Sequence, residues 1–116
     1  MHIYLTVSYI VFGGNAANGR YFYSYQPDVI QVSQKDEKMT FSLSKATDER
    51  FKILNLVTTD ANQQFGPAIP TEGQRSIQVV NKNTHNQLTL ISVLVQDKIT
   101  GEHVSCDPQV LNVPDE

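Results

Sequence analysis

Several residues near the end of the chain have side chains that could do chemistry on the protein's own backbone. The candidates are Asp97, Lys98, His103, Asp107 and Glu116. A carboxyl group held beside a main-chain carbonyl can attack it, because proximity replaces a bimolecular encounter. A nearby lysine amine, if it is neutral, can then capture the acyl group. The residue types therefore allow acyl-transfer chemistry, and the simpler alternative is an exposed pair of a lysine and a carboxylate.

The turn-forming pair Thr100-Gly101 predicts a tight hairpin that would position these residues. With this pair as the loop, Lys98 lies opposite His103, and the two side chains share one face of the sheet. Asp107 follows His103 on that face by period two, whereas Asp97 points to the other face unless the strand bends there. Because a proline follows Asp107 and cannot donate to the strand ladder, the pattern also predicts a strand break at this acid.

Alternating apolar residues predict β-strands along most of the chain, and helical periodicity does not occur. The predicted strands are segments 3–11, 21–25, 39–43, 51–53, 76–80, 88–96 and 109–113, with clusters of Gly, Asn and Pro between them. Segment 88–96 is apolar at both alternating positions, which predicts a central strand covered on both faces. The whole pattern indicates one domain over residues 1–116, folded as an antiparallel, immunoglobulin-like β-sandwich of about seven or eight strands.

Composition argues against some classes of function. The net charge is −3 and the nine Lys and Arg residues are scattered, which argues against binding to nucleic acid. The apolar start of the chain has no basic residue ahead of it, and no apolar run is long enough to span a bilayer, so we expect a cytoplasmic protein without membrane contact. The single cysteine, Cys106, lies in an alternating pattern and is interpreted as a small buried residue.

Neither a metal site nor a cofactor site is predicted. The three histidines, His2, His85 and His103, lack the short spacing of zinc ligands. The glycine-rich segment 13–19 leads into a strand pattern without a Lys-Ser or Lys-Thr pair, so it is interpreted as a turn rather than a phosphate-binding loop. We therefore expect the protein to work without a cofactor.

The last quarter of the chain resembles the bacterial DP-EP family. The resemblance rests on Val95-Gln96-Asp97-Lys98, on Thr100-Gly101-Glu102 and on Cys106-Asp107-Pro108-Gln109-Val110. Members of that family are small β-sandwich domains linked to self-cleavage after an acidic residue that precedes proline, and a short tail stays bound as a strand. The resemblance implies a single-turnover endopeptidase of the aspartic type that cuts its own backbone after Glu116, where this chain ends.

The same resemblance implies roles for the reactive residues. Glu116 supplies the carboxyl group at the cut, and Lys98 is the amine that forms an amide with it. Asp107 is the first candidate for the acid or base that moves the proton or activates water, and Asp97 is the second. His103 is a secondary candidate for assistance. Glutamate at the cut departs from an aspartate, because its anhydride needs a six-membered ring where aspartate forms a five-membered one.

Two other functions fit the sequence. The first is a noncatalytic, immunoglobulin-like binding or assembly module whose sheet edges pair with a partner's strand or with a second copy of the chain. The second is carbohydrate binding through Tyr21, Tyr23 and Tyr25, although sheet packing alone explains aromatic residues in a strand. In the self-cleaving case, the expected partner is the protein's own cleaved C-terminal peptide, retained as an edge strand.

Overall fold

A computed structural model of the chain describes residues 1–10, 12–60 and 62–114. This part contains ten strands and no helix, hence none that is long and apolar enough to cross a membrane. The strands are β1 (His2–Tyr9), β2 (Tyr21–Gln26), β3 (Ile30–Val32), β4 (Glu37–Leu43), β5 (Phe51–Thr58), β6 (Ile69–Pro70), β7 (Ser76–Asn81), β8 (Gln87–Asp97), β9 (His103–Cys106) and β10 (Gln109–Asn112). The all-β prediction is confirmed. Val11, the last residue of the first predicted strand, lies outside the described residues.

The strands form two sheets that pack over one core. The first sheet has the order β2-β1-β4-β7-β6, and the second has the order β3-β10-β8-β5, with β9 also paired to β8. Both sheets are mixed, because β1 with β4 and β3 with β10 are parallel pairs. The antiparallel prediction is therefore wrong for these two pairs. The described residues form more strands than the predicted seven or eight, because β3 and β6 are too short to show an alternating pattern.

The inward-facing residues of the alternating strands form the core. Ile3 and Val7 of β1 are buried, and so are Met39 and Phe41 of β4. Burial of an aliphatic or aromatic side chain of this size contributes about 1.5–3 kcal/mol, so alternation on several strands is enough to hold the two sheets together. Cys106 is also buried in this core, which confirms its interpretation as a small apolar residue.

β8 is central in the second sheet, but only one of its faces is covered. Ile91 and Val93 point into the core and are buried, whereas Leu88 and Leu90 are about half exposed on the outer face, at 58% and 49%. The prediction of a strand covered on both faces is therefore wrong. The prediction fails because apolar residues at both alternating positions show only that both faces of the strand are apolar. They do not show whether another layer covers each face.

The hairpin between β8 and β9 has a register different from the predicted one. Gln96, rather than Lys98, lies opposite His103, and the connection consists of residues 98–102. The carboxylate of Asp97 accepts two backbone amides of this connection, at 2.9 and 3.4 Å, and so stabilises a turn wider than two residues. The predicted placement of Lys98 and His103 on one face is therefore wrong.

β9 and β10 run along β8 as one strand that is interrupted at Asp107 and Pro108. The pairing with β8 keeps the same register on both sides of the interruption. Across the gap, the Pro108 carbonyl accepts a hydrogen bond from the amide of Ile91 at 3.0 Å. The predicted strand break is confirmed, and it leaves the Asp107 side chain exposed.

Candidate functional site

Asp97 is fully buried and accepts hydrogen bonds from three parts of the fold. The Arg50 guanidinium donates from Nε to Oδ1 at 2.9 Å and from Nη2 to Oδ2 at 2.7 Å. The Tyr21 hydroxyl donates to Oδ2 at 2.6 Å, and the amides of Ile99 and Thr100 donate to Oδ1. The carboxylate therefore joins β2, the start of β5 and the end of β8.

These donors keep Asp97 ionised. Burial alone would raise the pKa of the Asp97 carboxyl, but the hydrogen bonds from Arg50, Tyr21 and the backbone amides outweigh burial and hold this pKa well below its usual range. A carboxylate in this state is a poor candidate for a group that carries a proton at neutral pH. The geometry therefore supports a structural role for Asp97 rather than the predicted acid or base role.

Sequence reasoning missed both side-chain partners of Asp97. Arg50 lies 47 residues before it and Tyr21 lies 76 residues before it, so no local pattern connects them. The guanidinium of Arg50 also stacks over the ring of Tyr9, 4.9 Å from its centroid. The only signal in the sequence for this ion pair was an aspartate at the end of one strand and an arginine just before another.

Lys98 and His103 lie in exposed positions at the Asp97 end of β8. Lys98 begins the connection to β9, and its amide donates to the Arg50 carbonyl at 2.7 Å. His103 begins β9 opposite Gln96. Burial against apolar strands, the condition that would favour a neutral Lys98 amine, is not met.

Asp107 lies at the far end of β9 from Lys98. Its Oδ1 accepts a hydrogen bond from Ser105 Oγ at 2.9 Å, and Ser105 Oγ in turn shares a hydrogen bond of 2.5 Å with Ser92 Oγ. β9 is an extended strand, so at about 3.3 Å per residue its length separates Asp107 from the Lys98 turn by roughly 15 Å. The structure does not bring these two predicted site residues together.

The C-terminal end of the described chain is also far from Lys98. Asn112 lies opposite Gln87, at one end of β8, while Lys98 follows Asp97 at the other end. The length of β8 corresponds to roughly 33 Å, and the four residues that follow Asn112 can extend by at most about 14 Å. Glu116 lies outside the described residues, and the described strands do not support its amide with Lys98 within one chain.

The remaining reactive groups are not arranged for catalysis either. Burial, followed by the nearby charge of Asp107, raises the pKa of the Cys106 thiol to about 12, which keeps it protonated and unreactive. Among the described residues, no three His, Cys, Asp or Glu side chains lie close enough to hold a metal ion. Tyr21 is fully buried and the Tyr25 hydroxyl donates to the Cys106 carbonyl, so the three tyrosines of β2 do not form one exposed platform.

The outer face of the second sheet carries an exposed apolar patch. It exposes aliphatic side chains from three neighbouring strands and from the residue before β3. We call them the apolar outer face: Val29, Val57, Leu88, Leu90 and Leu111, each at least 40% exposed. In the pairing of β8 with β10, Leu111 lies directly opposite Leu88, so the patch is continuous across these strands.

The outer face of the first sheet has a different chemistry. Its outward positions carry hydroxyl and amide side chains: Thr6, Ser8, Ser24, Thr40, Ser42 and Gln78. Tyr4 is also exposed there, but its ring is stacked against His2 at 4.5 Å. Three further apolar residues are exposed on this sheet, and each lies opposite a polar one: Phe22 opposite Ser8, Ile69 opposite Gln78, and Val80 opposite Lys38. When one face of a sheet is solvated, polar residues normally occupy the outward positions of its strands, as they do at most outward positions here. The leucines of the second sheet therefore stand out within the same domain.

The sheet edges offer less room for pairing than the sequence predicted. The Asn15 side chain donates to the Tyr23 carbonyl at 3.0 Å and accepts the Tyr23 amide at 2.8 Å, so it occupies the edge of β2 as a neighbouring strand would. On β5, the Gln74 carbonyl accepts the amide of Ile53 at 2.7 Å. β6 consists of two residues and ends in Pro70, which cannot donate.

Comparison of the sequence with protein-family models and with curated proteins finds no match. The resemblance of the last quarter of the chain to the DP-EP family therefore stays a prediction from its motifs.

Proposed function

We propose that this chain is a noncatalytic, immunoglobulin-like β-sandwich module that binds a partner through the apolar outer face. The observation that carries this proposal is the continuous set of exposed aliphatic side chains on β10, β8 and β5 and on the residue before β3. Contiguous apolar surface of this kind is typical of protein interaction sites, because burying it on binding removes it from water. Two sheets packed over one core support the immunoglobulin-like assignment, which is part of the same proposal.

The placement of the reactive residues favours binding over catalysis. Asp97 is held in a buried ion pair, Lys98 lies in an exposed turn, and Asp107 lies at the other end of β9. A catalytic group must lie within hydrogen-bond reach of the group on which it acts, and these three do not converge on one point. A face rather than an edge is the preferred contact, because Asn15 and Gln74 already occupy the edges of β2 and β5.

The test is a pair of matched variants on the two outer faces. Leu88→Gln with Leu111→Gln makes the second sheet polar, and Val80→Gln makes the same kind of change at a 45% exposed residue of the first sheet. We expect the double variant to lose both fluorescence enhancement with the apolar dye anilinonaphthalene sulfonate and the dye-induced amide shifts of β8 and β10 in NMR spectra. Val80→Gln should keep both. Dye-induced shifts on the first sheet instead would contradict the proposal.

Self-cleavage after Glu116 is a second candidate, and the exposed carboxylate of Asp107 is the feature that favours it. Asp107 borders a surface groove of about 350 Å³, where an extended segment of chain has room to lie against β8. The distance between Lys98 and the end of the described chain counts against a role for Lys98 in the same chain.

The test for self-cleavage is intact-mass spectrometry under denaturing conditions on a chain extended beyond Glu116 with a proline as the next residue. A mass ending at Glu116, lost in Asp107→Asn but not in Asp36→Asn, would support cleavage with Asp107 as acid or base. A further loss of one water that depends on Lys98 would indicate the amide. One uncut mass after prolonged incubation would exclude the reaction.

A further inference from the structure

Three surface grooves lie on or beside the apolar outer face, and two aspartates are shared between them. A groove of about 350 Å³ between β5 and β8 is bordered by Asp107. A groove of about 360 Å³ beside β2 is bordered by both Asp107 and Asp28. A third, of about 200 Å³, lies over Leu88 and Leu111 and is bordered by Asp28. Neighbouring grooves therefore share one exposed acid, and we call the three grooves together the depression.

The charge around this depression is of one sign. No lysine, arginine or histidine is among the described residues that line the three grooves. The basic residues of the second sheet lie at its other end, where Lys52 pairs opposite Gln96 and Lys98 begins the next turn. Along β9, Asp107 lies roughly 13 Å beyond His103, which pairs opposite Gln96 at that end, and this separation exceeds the Debye length of about 8 Å at physiological salt.

We propose that the partner is an extended segment that carries cationic side chains, lysine or arginine, next to aliphatic ones. This inference rests on the proposed function and specifies the chemistry of its partner. The aliphatic side chains lie against Leu88, Leu90 and Leu111, and the cations lie beside Asp28 and Asp107. Ser105 donates to one oxygen of Asp107 and so fixes the direction of this carboxylate. The stems of lysine and arginine are apolar and can cover the neighbouring aliphatic surface.

A second copy of the chain fits this face less well. In a two-fold interface this face contacts the same face of the second copy, which offers no lysine or arginine to Asp28 and Asp107. Like charges placed together across an interface oppose association and are partly desolvated there. An acidic partner is disfavoured for the same reason. Charge complementarity therefore selects a cationic, apolar segment.

The experiment compares two labelled peptides by fluorescence polarisation. Each carries two leucines and two valines in alternation, preceded by two lysines in the first peptide and by two glutamates in the second. We expect the lysine peptide to bind more tightly, and added salt to weaken it. Asp28→Asn with Asp107→Asn should lower its affinity about 3- to 10-fold, since exposed pairs contribute modestly. The matched control, Asp36→Asn with Glu72→Gln, changes the net charge equally and should leave the affinity unchanged.

The other outcomes separate this inference from the proposed function. Equal binding of both peptides, lost in Leu88→Gln with Leu111→Gln but unaffected by the aspartate variants, would overturn the cationic inference and leave the apolar docking surface standing. A dimer in sedimentation experiments that dissociates in the leucine variant would replace the peptide partner with a second copy. Absence of binding by either peptide to the wild-type protein would overturn the inference.

Discussion

Asp97 and Arg50 form a bidentate ion pair in which the carboxylate is completely buried and the guanidinium side chain is 19% exposed. The pair fixes the end of β8 to the residue before β5. Two further donors from the turn and one from Tyr21 complete the coordination of the carboxylate oxygens. Removing one partner of such a buried ion pair leaves the other charge without compensation. Substitutions at this pair should therefore lower the stability of the protein strongly.

Asp97→Ala should lower the free energy of unfolding by about 3–5 kcal/mol, because the substitution leaves the Arg50 charge without its partner and the turn amides without their acceptor. Urea unfolding followed by circular dichroism measures this change. Asp107→Ala is the matched control, and as an exposed substitution it should stay within about 0.5 kcal/mol of the wild type. Similar losses in both variants would contradict the structural role of the buried pair.

Tyr21→Phe should cost about 1.5–3 kcal/mol, the usual contribution of a hydrogen bond to a charged group. Burial and the hydrogen bond to Asp97 raise the pKa of the Tyr21 hydroxyl, so it remains a donor over the whole neutral range. The control is Tyr23→Phe on the same strand, whose hydroxyl makes no hydrogen bond to the described residues. Equal stabilities of the two variants in urea would count against the Tyr21 contact.

Acid should destabilise the fold through Asp97. Its folded pKa is depressed, whereas in the unfolded chain aspartate titrates at about 3.9. Above that value the stabilisation is fully present, and below it the unfolded chain binds a proton that the folded chain does not. The free energy of unfolding should therefore fall as the pH drops from about 5 towards about 2. In Asp97→Asn this fall should be shallower.

A second carboxylate contributes to the same acid sensitivity. Burial alone would raise the pKa of Asp60, but the amides of Phe65 and Gln64 and the side chain of Gln87 outweigh it and lower this pKa. The slope that remains in Asp97→Asn should therefore decrease again when Asp60→Asn is added. An unchanged slope in both variants would place the acid sensitivity elsewhere in the chain.

Cys106 should not react with a thiol reagent until the protein unfolds. Its side chain is fully buried and its thiol pKa is raised to about 12, so little thiolate forms near neutral pH. Ser105→Cys places a second thiol at the adjacent, exposed position of β9 and serves as a positive control. With Ellman's reagent, one thiol per chain should react rapidly in this variant and none in the wild type. Rapid reaction of the native wild type would show that β9 opens.

The local pattern of the sequence was enough to predict most strands, because the alternation of apolar residues has the same period as the strand itself. It also predicted the buried state of Cys106 and the interruption at Asp107, which follow from neighbouring residues alone. The short strands β3 and β6 and the parallel pairs did not follow from it. Pairing partners are set by long-range packing, which no local period encodes.

Only the tertiary structure determined which of the candidate residues are buried and which are exposed. The sequence predicted that Asp97 is a reactive acid beside Lys98. In the structure it is a buried ion, because Arg50 and Tyr21 contact it from parts of the chain that are distant in sequence. The sequence predicted that Leu88 and Leu90 lie in the core. In the structure they are exposed, because none of the described residues forms a second layer over that side of β8. Sequence determines the order of polar and apolar side chains along each strand, while the packing of the sheets determines which of them meet water.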